Sequence, residues 1–175
     1  QDAIRKARVH PIALLLALKT YAQGHGEKGK STWNPVTQIL DALDQAFYLA
    51  FSAVQPTNKR HLIALDVSGS MDGSKIAGTS LSAREASAAM AMVMAAVEPR
   101  HQIVGFSTIQ HSGPSKFSNT PWRSHDDNLL VPLAISSGQR LDDICKTMRA
   151  IPMGGTDCAL PMLYALEKKI PVDVF

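Results

Sequence analysis

Two cysteines, Cys145 and Cys158, are all that the 175 residues contain, too few for the disulfide framework of a small secreted module. Both lie on or beside an apolar helical stripe, which favours reduced thiols in an intracellular, cytoplasmic setting. Long hydrophobic runs are lacking as well. No stretch reaches the roughly 18–20 consecutive apolar residues of a membrane-spanning helix, so no membrane association is expected, and no charged, apolar and small-residue succession forms a secretory signal. Nor does the sequence start with Met: it opens on Gln1 inside a helical pattern and stops at Phe175 inside an apolar run, the marks of a fragment. With 45% hydrophobic and 19% charged residues, it has apolar material for one medium core or parts of two domains.

Acidic residues are scarce at the start. Residues 1–60 hold eight Lys or Arg against four Asp or Glu, a net charge of +4, whereas the remaining 115 residues hold ten against eleven. The basic side chains gather at Arg5, Lys6, Arg8, Lys19, Lys28 and Lys30, with His10 and His25 beside them. A solvated helix face accounts for such a run in most proteins. The functional alternative is a phosphate-contacting surface, because clustered cations attract a polyanion before any base is read. On that reading Arg5, Lys6, Arg8, His10, Lys28 and Lys30 are the candidate phosphate contacts.

Punctuation residues divide the rest. A short helix near residues 2–9 should stop before Pro11, which opens a second helix with Ile12, Leu15, Leu16 and Leu18 on a broad apolar face. Gly24 ends it. The loop from Gly24 to Ser31 matches the spacing G-x-x-x-x-G-K-S, but a phosphate-binding loop of that kind follows a buried strand and opens a helix. This one follows a helical pattern and runs into Thr32-Trp33-Asn34-Pro35, so the match is discounted. Asn34 as cap and Pro35 as first residue predict a third, packing helix with Val36, Ile39, Leu40, Leu43, Phe47 and Phe51 at helical spacing. Gln55–Asn58 reads as a linker to a strand ending at Asp66.

A polar loop over 68–81 then leads to Ser82-Ala83-Arg84-Glu85, a capping box for a helix running to Glu98, with Met90, Met92 and Met94 as core filling. His101–Ser107 is the next strand, again ending in a hydroxyl. Residues 108–127 read as a solvated insertion, since His125, Asp126 and Asp127 fit no usual ligand spacing. Leu129–Ile135 is expected at a sheet edge because Pro132 suits a central strand poorly. Leu141, Ile144, Cys145 and Met148 mark one more helix, and Leu160, Leu163 and Leu166 another. Strands alternating with helices predict an α/β fold, an open and mostly parallel sheet with ligands at the carboxyl ends of its strands.

Two loops at such ends carry chemistry. The run His61–Leu65 delivers Asp66, Ser68 and Ser70 to the lip of a strand, with Gly69 allowing a tight turn. One carboxylate and two hydroxyls at alternate positions suit a hard cation, Mg2+ first, which takes few protein oxygens and keeps waters. One coordination place then stays open for an acidic group of a partner. The plainer alternative is a strand end followed by a Ser/Gly turn. The second loop, Ile151-Pro152-Met153-Gly154-Gly155-Thr156-Asp157-Cys158, offers Thr156 as a further hydroxyl, while Asp157 is read as the first-turn acid of the next helix. A serine nucleophile needs a base within reach; no histidine is suggested as the partner of Ser68 or Ser70, so an enzyme is not expected.

D-x-S-x-S followed by G-G-T resembles the metal-ion-dependent adhesion site of von Willebrand factor A domains. By that resemblance Asp66, Ser68, Ser70 and Thr156 take four of the usual five positions; the fifth, in the family an aspartate at the end of the next strand, is missing, because the sequence stops at Val172-Asp173-Val174-Phe175, inside that expected strand. More broadly, Lys6–Pro11, Tyr21–Gly26, Pro56–Arg60, Asp66–Met71 and Ile151–Cys158 resemble, in order, the Ro autoantigen proteins, which pair a helical-repeat ring, the TROVE module, with an A domain. The resemblance implies that residues 1–56 end the helical RNA-binding module and 57–175 form a truncated A domain. It also implies a non-catalytic protein that binds small structured Y RNAs and misfolded or decaying RNA in quality control, with an accessory Mg2+ site. The alternative is a protein-binding A module acting through its metal without RNA.

Overall fold

The computed structural model describes residues 7–76, 78–108, 128–152 and 154–175. The helix expected near residues 2–9 lies outside them apart from its last residues, and so does nearly all of the expected insertion at 108–127. Arg8 has φ 47°, a left-handed conformation that turns the chain before Pro11. Helix α1, Pro11–Ala22, then starts as the sequence suggests, with Pro11 in the first turn. Its cap is His10, whose Nδ1 accepts the Ile12 amide at 3.2 Å.

Gly24, at φ +76°, stops α1, but the next helix begins later than the sequence suggests. Helix α2 runs Thr37–Leu49 with Val36 as a cap lacking any side-chain bond, rather than opening at Asn34 and Pro35. The cause is tertiary. The Trp33 amide donates to Gly24 O at 2.8 Å, the Trp33 indole donates to Tyr21 O at 2.8 Å, and the Val36 amide donates to the Tyr21 hydroxyl at 3.2 Å. Residues 33–36 are thereby held outside any helix against the end of α1, Val36 with an extended backbone, and helix formation waits until they are passed. Of the expected packing stripe on α2, Phe47 and then Phe51 are buried, whereas Val36 and Ile39 are exposed.

A short 3-10 turn, Ala50–Ala53, leads through the linker to β1, His61–Asp66. The turn Ser70–Gly73 (α3), helix α4 (Ala83–Val97), β2 (His101–Thr108) and β3 (Asn128–Pro132) come next. Helices α5, Leu141–Arg149, and α6, Leu160–Glu167, complete the described elements. β1 and β2 pair in parallel, β3 joins the far side of β2 antiparallel, and the order is β1-β2-β3. β3 is at the edge, as Pro132 suggests. On the open side of β1 the Leu62 amide donates to Val174 O at 2.9 Å, and Val174 bridges His61 in parallel. The sheet is thus mixed, with helices on both faces.

The period-2 alternation of the strands sorts the core into two parts. Leu65, Ile103 and Leu129 point to the side covered by α4 and α5, where Leu15 of α1 and Phe47 of α2 join the same cluster. Leu62, Val104, Phe106 and Leu130 point to the other side, against Leu160, Tyr164 and Ala165 of α6. Gly105 is tightly packed on the first face: a Cβ there would lie 3.0 Å from Val67 Cγ1 and 3.3 Å from Leu133 Cδ1, so those methyls would have to give way. Helix α4 carries the full capping box of Ser82 and Glu85, and Met92 is core filling whereas Met90 is exposed. On α6 the leucine spacing misleads, because Leu160 is buried but Leu163 and Leu166 are exposed. Steps of three residues fall short of the 3.6-residue turn, so successive leucines drift off the buried face.

Candidate cation site and basic surface

Asp66 is the last residue of β1, so its side chain stands at the carboxyl end of the sheet. Its Oδ1 accepts the Ser68 amide at 2.8 Å, a local turn that sets the chain back over the strand end. Its Oδ2 accepts the Thr156 hydroxyl at 3.2 Å, across a sequence separation of 90 residues. Ser68, nearly fully buried, places Oγ 3.0 Å from Ser70 Oγ. The four oxygen-bearing side chains singled out by sequence are therefore brought together, with Ser70 and Thr156 on the exposed side. Asp157 is not in that chain of bonds; its Oδ1 accepts the Ala159 amide at 2.9 Å and so shapes the entry to α6.

The donor set is one carboxylate and three hydroxyls, oxygens alone, which fits a hard cation such as Mg2+. Among the described residues no three His, Cys, Asp or Glu side chains gather so as to hold a metal ion, so the hydroxyls would have to supply most of the ligands. Ser68 and Ser70 bond one another rather than a histidine.

Two residues that shape this cluster have roles that local sequence does not reveal. Ser107, wholly buried at the end of β2, accepts the Gly154 amide at 3.0 Å and reaches Gly155 O at 3.2 Å. The Thr108 amide also donates to Gly155 O, at 2.8 Å. The end of β2 thus holds the G-G-T loop beside Asp66, and the hydroxyl closing the strand is its one visible signal. Arg84, also wholly buried, lies under the first loop, where its Nη2 donates to Ser68 O at 3.0 Å and Val67 O at 3.4 Å. In sequence it reads as an ordinary member of a capping box.

The basic surface is less gathered. Arg5 and Lys6 lie outside the described residues. Arg8, Lys28 and Lys30 are exposed, and His10, also exposed, caps α1. Lys19 leaves the group, since its Nζ is 2.6 Å from Glu85 Oε1. The glycine loop does not open a helix: it is pinched by a bridge between His25 and Thr32, which settles against the phosphate-loop match. Glu27 anchors it by accepting the Ser80 amide at 2.8 Å, and the Ser80 side chain together with that amide holds the Glu27 carboxyl below its usual range. Glu27 thereby ties the loop that carries Lys28 and Lys30 to the segment that succeeds the Asp66 loop.

Known proteins resemble this chain in sequence and in fold. Residues 60–175 match the family model described as the Ro60 vWA domain. The chain is 39% identical over 174 residues to the RNA-binding protein RO60 of Deinococcus radiodurans, and 36% identical over 175 residues to that of Caenorhabditis elegans. These matches cover 99% and 100% of the chain but only 29% and 24% of the relatives; the chain spans less than a third of their length. The crystal structure of the Deinococcus radiodurans RO (RSR) protein superposes with a TM-score of 0.81 at 38% identity, over 99% of this chain and 32% of that one. With the parallel β1–β2 core, the edge strand and the Asp66 loop all in place, the chain belongs to the Ro60 von Willebrand A-domain family.

Proposed function

We propose that this chain is part of a Ro-type RNA-binding protein, in which residues 1–56 end a helical RNA-binding module and 57–175 belong to the A domain. The observation that carries the reading is that the likeness to two RNA-binding relatives runs through the basic first 60 residues as well as the A domain. Its partners are small structured Y RNAs and misfolded or decaying RNA, its role RNA quality control, and its compartment the cytoplasm. No described helix is long and apolar enough to cross a membrane. Arg5, Lys6, Arg8, His10, Lys28 and Lys30 are the proposed contacts, of which Lys28 and Lys30 are exposed on an anchored loop. The test is a filter-binding series in the full-length protein. Neutralising Arg8, Lys28 and Lys30 should reduce the slope of log affinity against log salt by about 0.7–0.9 for each phosphate left without its cation. An unchanged slope would remove this segment from the RNA surface.

The accessory site is proposed to hold Mg2+ through Asp66, Ser68, Ser70 and Thr156. When bound, the cation supplies positive charge with coordination places left for water or a carboxylate. The reading is non-catalytic, in line with relatives that are named RNA-binding proteins. A second reading, a protein-binding A module acting through that metal without RNA, is favoured by the exposure of Ser70 and Thr156 at the rim. It predicts capture of an acidic protein ligand that requires Mg2+ and is indifferent to the basic loop.

A further inference from the structure

Asp72 lies two residues beyond Ser70, in the short turn α3, and meets two arginines from different elements. Its Oδ1 is 2.9 Å from Arg84 Nε, at the start of α4, and 3.1 Å from Arg149 Nη2, at the end of α5. Arg149 Nε donates to both Asp72 oxygens at 3.2 Å, a bifurcated bond, so two of its guanidinium nitrogens reach the carboxylate. Arg84 is wholly buried, and its guanidinium donates to the carbonyls of Ser68 and Val67. An arginine cannot shed its charge when buried, so its place beneath the loop depends on Asp72 and those carbonyls. Arg149 closes the helix from which the chain passes, by buried Ile151, into Gly154–Thr156. One carboxylate therefore ties the loop bearing Ser68 and Ser70 to the helix that launches the loop bearing Thr156.

We infer that Asp72, Arg84 and Arg149 form a brace that holds the two oxygen-bearing loops in register, as positioning residues for cation binding. The inference rests on the Mg2+ site proposed above. Arg84 fixes the backbone that aims Ser68, and Arg149 fixes the distance from the first loop to the second. None of the three belongs to the oxygen cluster. A site whose loops are held beforehand binds its ion without the cost of ordering them. Partners behind the ligands typically account for 10–100-fold in metal affinity.

The test is a calorimetric Mg2+ titration of the full-length protein, with melting curves taken with and without the ion, on the parent and on Asp66→Ala, Asp72→Asn, Arg149→Gln and Arg149→Lys. Arg149 is half exposed, so Arg149→Gln removes the tie without opening the core and remains informative if Asp72→Asn, which strands Arg84, fails to fold. The expected result is about a tenfold or greater loss of Mg2+ affinity in Arg149→Gln. Arg149→Lys should recover only part of it, because an ammonium lacks the fork. The metal-free melting temperature should stay near the parent's while the Mg2+-dependent increment shrinks. Failure of the parent to bind Mg2+, or parental binding by Asp66→Ala, overturns the cation site itself. If Asp66→Ala loses Mg2+ while Arg149→Gln binds like the parent, the site stands and the brace is overturned. Equal loss of metal-free stability and of affinity would make the network a general support of the fold and would also overturn it.

Discussion

Ser107 shows how much of the site depends on a side chain outside the proposed ligands. Its hydroxyl is wholly buried and accepts the Gly154 amide, so Ser107→Ala leaves the amide of half-buried Gly154 without its partner. That should cost about 1–3 kcal/mol, read as a lowered urea midpoint, and should weaken Mg2+ binding in calorimetry because the Thr156 loop loses its seat. At the neighbouring Gly155 a Cβ would stand 2.8 Å from Thr108 Oγ1, so a side chain there would have to push that hydroxyl aside. Asp66, Ser68, Ser70 and Thr156 are legible in the sequence because their spacing puts oxygens at strand and loop ends, and the structure brings all four together. Ser107 and Arg84 are not legible in their roles. Those depend on which strand lies beside which loop, and on burial, neither of which is written in local spacing.

At the scale of elements, the capping box of α4, the Pro11 start of α1 and the edge position of β3 follow from residue chemistry alone. The start of α2 and the buried face of α6 do not, because contacts made elsewhere in the fold decide them. Gly24 is the pivot of the first case. It sits at φ +76°, and a Cβ would meet the Trp33 carbonyl oxygen at 2.9 Å. Gly24→Ala should therefore cost the left-handed penalty of about 1–2 kcal/mol and something further for the clash. Gly29, at φ +97° with open space for 4 Å around the place a Cβ would take, provides the comparison. Denaturant midpoints should fall further for Gly24→Ala than for Gly29→Ala; the reverse order would show that the Trp33 contact does not define the end of α1.

Taken as a whole molecule, α1 and α2 share one apolar cluster with the sheet, and the linker that joins them to β1 is clasped rather than loose. Glu98, buried at the end of α4, accepts the Thr57 amide at 2.7 Å and the Asn58 amide at 3.1 Å, with His61 Nε2 3.5 Å away. The Thr57 backbone bond is the main reason its carboxyl is held below the usual range. A lowered folded-state value contributes stability above the unfolded value, near about 4.3 for glutamate, and that contribution is lost as pH falls below it. Acid unfolding of Glu98→Gln should accordingly show a shallower decline than the parent over that window, and an identical decline would remove Glu98 from the acid response. Glu85 sits at the other junction, between α1 and α4. Its Oε2 takes the Ser82 amide and hydroxyl while its Oε1 takes Lys19, so helix initiation and helix docking are assigned to separate atoms of one residue. In mutational terms the position is a bottleneck: glutamine can keep the cap but forfeits the charge that meets Lys19, and aspartate keeps the charge on a shorter arm.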